Sequence, residues 1–543
     1  MSEWTMLTRV VAAVVLLSSP AFAQLTPPGT PPENPLTPQK AVLGKVLFWD
    51  EQLSSDNTMA CGSCHRPFAG GADVRIVRLA GPDGLLNTTD DVFGSPGVIR
   101  SDAQGLYEPD PVHGFLPQVT GRNSPGFLMA SYNTELFWDG RAPTTFVDPQ
   151  TGNTSIAVGG ALESQSVGPP ASDVEMAHAA RGWSEIVAKL PASRPLALAS
   201  NLPADVAAAL AADPTYPDLF TSAFGDAAIT SERIAFAIAS YERSLVPDQT
   251  PWDAYVGGNT SALTTQQKAG LGVFTNQGNC RICHLTPFFL DDQYHNIGLR
   301  DPATDPGREI VTGDHGDRGM FKTPSLRNVG LRARMMHTGQ FDDLRQVVDF
   351  YNRGGDFNDN LDGQIFPLFL SKQERDDLVE FLRTALTDPR VAAEQAPFDR
   401  PRLYFEPPPP NPLRYGFGSP GSGGFVPALL AQVPPNVGNV DFKFGVFQAL
   451  GGSLALDLVS LGKTPPGTFL RSIPLQVDVT KIAAIIALPL SGSGAGAGYG
   501  TLKGTLPNDP ALAGFEFFTQ WFVLDAGATD GVAASEGGEF QLF

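Results

Sequence analysis

Cys280-Arg281-Ile282-Cys283-His284 decides how this chain is read, because Cys61-Gly62-Ser63-Cys64-His65 repeats its pattern. In a C-x-x-C-H run both sulfurs and the imidazole fall within about one helical turn. Thiols so placed can add to the two vinyl groups of one haem while the histidine binds its iron from one face. The chain has four cysteines, and these two runs use all of them. A redox C-x-x-C and two halves of a zinc site are the competing readings. A redox pair needs no following histidine and a zinc site does not need it twice, so the pattern predicts two covalently bound haem c groups.

Working outward, a chain of 543 residues is too long for one core. Residues 1–23 read as a signal peptide: Arg9 precedes the apolar run Val10–Leu17, and Ala21-Phe22-Ala23 supplies the small-residue cleavage pattern. The run is too short to span a bilayer and no later stretch is long and apolar enough. The expectation is therefore a bacterial protein exported to the periplasm, where c-type haem is attached. No cysteine remains for disulfides. The net charge of −20 argues against nucleic acid as a partner.

Residues 24–215 and 216–400 read as two haem domains, one motif in each. Helices are expected over Ala41–Phe48, Glu175–Lys189, Leu202–Ala211 and Ser231–Val246. Thr264 to Gln267 fits a capping box opening a further helix. Arg66–Gly121 reads as a long loop region and Pro143–Gly160 as an inserted loop. The acidic turn Asp83–Asp91 lacks EF-hand spacing. Residues 401–424 read as a Pro/Gly-rich linker, and 425–543, with alternating apolar runs between turns, as an accessory β-sandwich-like domain. That segment contains neither Cys nor His. The fold class expected is mainly α, with two cytochrome c-like haem domains followed by an all-β domain.

Several motifs in order resemble the bacterial di-haem cytochrome c peroxidases and their relative MauG. They are Leu43–Phe48, the first C-x-x-C-H, Arg122-Asn123-Ser124-Pro125, Phe137–Ala142, the second C-x-x-C-H, His295–Gly298 and Phe321–Asn328. The likeness runs from about Gln39 to Arg390 and stops before the C-terminal segment.

The resemblance implies roles. His65 would bind the iron of the first haem, where peroxide reacts, and His284 that of the second, which passes electrons. Trp138 matches the tryptophan between the haems; on its own it reads as a core aromatic. Gln165, Pro169 and Glu175 match the distal pocket, although Glu175 alone would read as an exposed helix residue. A carboxylate there can carry a proton from one peroxide oxygen to the other. Tyr351 falls where peroxidases place a methionine ligand of the second haem and MauG a tyrosine; Met335 and Met336 lie in the wrong register. His113 aligns with the histidine that blocks the first haem in resting peroxidases. If it binds, reductive activation would be needed. A calcium ion would be held by Asn123 and the backbone carbonyls of Arg332 and Arg334, provided both arginine side chains point away.

Three functions follow as expectations. The first is a di-haem peroxidase reducing hydrogen peroxide with electrons from a small c-type cytochrome or similar donor. The second is a MauG-like oxidase modifying a protein substrate through high-valent haems. The third is a non-catalytic electron carrier. Tyr351 favours the second and His113 the first.

Overall fold

The computed structural model describes residues 25–81, 83–406 and 411–543. The signal-peptide reading of 1–23 and the proline run 407–410 lie outside them. Helix accounts for 27% of the chain and strand for 21%, so the mainly-α expectation is overturned. Two things shift the balance. Much of the first half is irregular chain wrapped around a cavity, and the C-terminal quarter is strand and turn.

Thr37 caps helix α1 (Pro38–Trp49) through its hydroxyl, which accepts from Lys40 N, and Pro38 stands where its missing N–H costs nothing. The apolar side of α1 joins α3 (Ser231–Ser244) in one core built on Leu43, Phe48, Ile234 and Tyr241, and α2 (Ala161–Ser166) packs in a second cluster through Ala161, Leu162 and Ala239. A Cβ on Gly44 would lie 1.9 Å from the Ala237 carbonyl oxygen, so only glycine lets α1 and α3 cross this closely. Trp49 Nε1 then donates to Tyr241 Oη at 3.1 Å. Arg243 of α3 ties down α2 through a buried pair with Glu163 at 2.6 and 2.9 Å. Tyr216 and Phe220 pack into the same core, so it draws on residues well beyond 215.

The second core gathers Phe274, Phe289, Leu344, Val348 and Phe381. The Thr264–Gln267 capping box opens α4 (Thr265–Thr275) as the sequence predicts. Helices α5 (Leu344–Arg353) and α6 (Lys372–Glu380) complete it. One turn recurs in both halves. Leu136 bridges Ala142 around Phe137 (φ 67°) and Gly140, and Met335 bridges Phe341 around Met336 (φ 69°) and Gly339. The two turns meet, with the Trp138 ring edge-on to His337 at 6.2 Å.

Beyond residue 412 lie eight longer strands: β1 (Leu413–Tyr415), β2 (Ala428–Leu430), β3 (Phe442–Gly451), β4 (Leu454–Ser460), β5 (Ile482–Pro489), β6 (Gly494–Gly504), β7 (Glu516–Leu524) and β8 (Val532–Gln541). They form antiparallel sheets in the orders β2-β3-β6 and β5-β4-β7-β8-β1. The stretch read as linker thus supplies an edge strand. Phe442, Phe444, Trp521 and Phe540 fill the space between the sheets, together with Ile99 and Tyr107 from the first half. Buried Lys443 donates to Ser101 Oγ and the Gly105 carbonyl at 2.9 and 2.8 Å. No helix among the described residues is long and apolar enough to cross a membrane.

Candidate functional site

Each C-x-x-C-H motif opens on a cavity. The first, of about 750 Å³, is lined by Cys61, Cys64 and His65 together with Phe48 and Met59. Cys61–Cys64 is one helical turn, and a Cβ on Gly62 would strike the Trp49 ring at 2.2 Å. His65 Nδ1 lies 3.2 Å from the Gly71 carbonyl. That contact fixes the hydrogen on Nδ1 and leaves Nε2 with the lone pair that iron needs. The second motif repeats the device: His284 Nδ1 sits 3.0 Å from the Phe289 carbonyl. Burial lowers the pKa of both imidazoles, keeping them neutral.

All four thiols are free. Burial pushes those of Cys61 and Cys280 up to about 12, the reverse of a redox or zinc-binding C-x-x-C, where the thiolate is favoured. Paired thiols beside neutral imidazoles on the cavity walls fit haem. Cys283, Asp291 and His295 are the described residues whose donor atoms come close enough to share a metal ion, and the second motif already uses that cysteine.

The structure brings Trp138, Gln165, Pro169 and Glu175 to the same cavity as His65. Gln165 projects from α2, and Pro169 starts a short 3₁₀ turn. The helix expected over Glu175–Lys189 begins only at Trp183. Before it, the N–H groups of Glu175, Met176 and Ala177 all fold back on the Ser172 carbonyl, and this turn puts Glu175 on the cavity wall. Burial raises the Glu175 pKa, against the Arg141 charge and the Ser172 hydroxyl. Trp138 lines both cavities, and its indole N–H donates to the Asn123 carbonyl at 2.7 Å.

Tyr351, on the last turns of α5, lines the second cavity with Cys280, Cys283 and His284. Burial raises its pKa far above the ordinary phenol value, and its hydroxyl has no hydrogen-bond partner among the described residues. Met335 and Met336 line this cavity too. His295 is held between Asp291 and Asp362 at 2.9 and 2.6 Å.

His113 lines neither cavity. It sits in a tight turn closed by the Asp110–Gly114 bridge, and its neighbour Phe115 is wedged between Phe447 and Tyr499 of the C-terminal sheets. The expected ligand role is not realised in this structure, because the β segment holds its loop.

The calcium expectation meets a different obstacle. The Asn123 amide contacts the Arg334 and Met336 carbonyls at 3.3 and 3.1 Å. Arg332, however, does not point away: its Nε donates to the Arg334 carbonyl at 3.3 Å and its Nη2 to the Ser124 carbonyl at 2.9 Å. A guanidinium on the Arg334 carbonyl, one of the oxygens a calcium ion would use, leaves no oxygen-only cage. The residues do not fit calcium.

His337, which the resemblance puts near the second haem, lines the second cavity and is stacked on Phe321 with centroids 3.6 Å apart. The sequence reading missed two features. Arg122 bridges Asp139 and Asp305 at 2.6 and 2.7 Å on the first cavity wall. Glu242 of α3 faces both cavities. A helical pattern places Glu242 on a half-apolar face, but nothing in the sequence sets it against a cavity.

A family model described as di-haem cytochrome c peroxidase matches residues 38–261. The methylamine utilization protein MauG of Methylorubrum extorquens is 30% identical over 367 residues, covering 66% of this chain and 81% of that protein. The cytochrome c551 peroxidase of Pseudomonas aeruginosa is 30% identical, covering 58% and 72%. A crystal structure of a MauG-like protein associated with microbial copper homeostasis superposes with a TM-score of 0.51 at 25% identity, covering 70% of this chain and 97% of that one. With its motifs and cavities in this arrangement, the chain belongs to the di-haem cytochrome c peroxidase family and is an oxidoreductase of that kind.

Proposed function

We propose that this protein is an exported di-haem c peroxidase that reduces hydrogen peroxide with electrons from a small redox protein such as cytochrome c. The supporting observation is the convergence of Gln165, Pro169 and Glu175 on the cavity that holds Cys61, Cys64 and His65. The export reading rests on residues 1–23 and on the extracytoplasmic attachment of haem c.

Cys61 and Cys64 would hold the first haem and Cys280 and Cys283 the second, each through thioether bonds, with His65 and His284 as iron ligands. Bound there, the haems supply the iron at which the O–O bond is broken and the store from which electrons reach it. The chain does the rest. The Gln165 amide can hydrogen-bond peroxide without titrating. Glu175 takes the proton from the oxygen nearer the iron and returns it to the farther one, so that the leaving group departs as water and not as hydroxide. Its burial serves this, since a carboxylate with a raised pKa takes the proton from peroxide more readily. Trp138, on both cavity walls, provides an aromatic path between them.

The test is stopped-flow mixing of the reduced, doubly haem-loaded protein with peroxide in the presence of a reduced c-type cytochrome. Rapid oxidation of the cytochrome is expected, and no oxidation above the uncatalysed rate removes the proposal.

Tyr351 favours a second reading, a MauG-like oxidase acting on a protein substrate. An anionic phenolate stabilises oxidised iron and would hinder reduction of the second site by an ordinary cytochrome. In that case the peroxide-treated protein stays oxidised until a protein target is added.

A further inference from the structure

Besides Glu175 and the arginine-paired Asp139 and Asp305, the first cavity is lined by the carboxyl group of Glu242. Glu242 sits on the last turn of α3 and is 4% exposed. Its side chain lines the cavity with Cys61, His65, Gln165 and Glu175. The neighbouring cation does not neutralise it, because Arg243 spends both of its terminal nitrogens on Glu163. Glu242 Oε2 is buried with no hydrogen-bond partner among the described residues.

An unpaired buried carboxylate is strongly disfavoured, so the group holds a proton instead. Burial pushes its pKa up to about 8, with Arg243 opposing and Glu163 reinforcing. Packing does not call for an acid here. A leucine would fill similar space without burying an unpaired polar group.

We propose that Glu242 is a proton donor to peroxide-derived oxygen in this cavity; the proposal rests on the peroxidase reading above. Reducing hydrogen peroxide to two waters breaks one O–O bond and consumes two electrons and two protons. When the bond breaks, the departing oxygen leaves as water with both of the peroxide's own protons, one of them carried across by Glu175. The remaining oxygen becomes water only by taking two electrons from the donor protein and two protons from outside the peroxide. Glu242 gives one of these and is reloaded from solvent. Glu175 thus serves bond cleavage and Glu242 the later reduction.

Three doubly haem-loaded proteins test this: the wild type, Glu175→Gln and Glu242→Gln, each with its haem content confirmed by mass. Infrared spectra at neutral pH should show a carbonyl stretch from a protonated carboxyl that Glu242→Gln removes. Glu242→Gln should lower kcat for peroxide-driven cytochrome oxidation by about 100-fold or more, the lower end expected for general acid catalysis. It should slow the first reaction with peroxide far less than Glu175→Gln does, and it should diminish the solvent deuterium isotope effect on kcat. A misfolded or merely loosened site would slow both steps together. Wild-type turnover by Glu242→Gln, or no protonated-carboxyl band assignable to Glu242, overturns the proposal and leaves the peroxidase reading standing. A wild type inert to peroxide overturns both.

Discussion

Tyr351 and His284 share the wall of the second cavity, and at this scale one side chain separates two chemistries. Bound to a second iron, an anionic oxygen donor would hold it oxidised, whereas a thioether would let it take an electron. Tyr351→Met should therefore change the absorption spectrum of the low-spin haem and raise its reduction potential, measured by spectroelectrochemical titration. An unchanged spectrum would show that the tyrosine is not a ligand and would move attention to Met335 or Met336. Glu175 was legible only through its motif, because its helical pattern suggested solvent. The turn on Ser172 is what aims it inward.

At the scale of elements, the first site depends on how α1 meets α3. Gly44→Ala sets a methyl where the Ala237 carbonyl lies, forcing the helices apart. The expected cost is about 1–3 kcal/mol, read as a lower denaturation midpoint, with the Trp49–Tyr241 hydrogen bond weakened. Strand β4 offers a pH-dependent test. Asp457 is fully buried between strands and takes a hydrogen bond from the Thr519 hydroxyl, yet burial raises its pKa to about 7. In the unfolded chain such a carboxyl titrates near about 3.9. The folded state therefore binds the proton more tightly, and this stabilisation is complete below about pH 4 and lost as the pH rises to about 7. Relative to Asp457→Asn, the wild type should lose stability on the order of a few kcal/mol across that window. A stability difference that does not change with pH would contradict the shift.

For the whole molecule, the C-terminal sheets do more than follow the haem-bearing part. Ile99 and Tyr107 complete the core between them, Lys443 is buried against the 101–105 loop, and Lys189 pairs with Asp441 at 3.0 Å. Removing residues 411–543 would bare these apolar groups and release the loop that carries His113. The shortened, haem-loaded protein should be cleaved by protease between residues 99 and 116 at least about 10-fold faster than the full chain, as expected when local opening becomes cheap. Equal cleavage rates would mean the sheets do not restrain that loop.

The sequence alone determined what is local. Two C-x-x-C-H runs mark where haem would be attached, since that chemistry needs only residues a few positions apart. The Thr264–Gln267 cap and the alternation from Phe442 to Val446 gave their elements for the same reason. Tertiary structure decided what depends on residues far apart in the chain. It brought a helix from beyond residue 215 into the first core and placed Glu242 on a cavity wall. It also laid the Arg332 guanidinium on the Arg334 carbonyl expected to hold calcium and drew His113 away on a loop anchored by Phe115. Those outcomes follow from burial and charge pairing between distant segments, which local spacing does not encode.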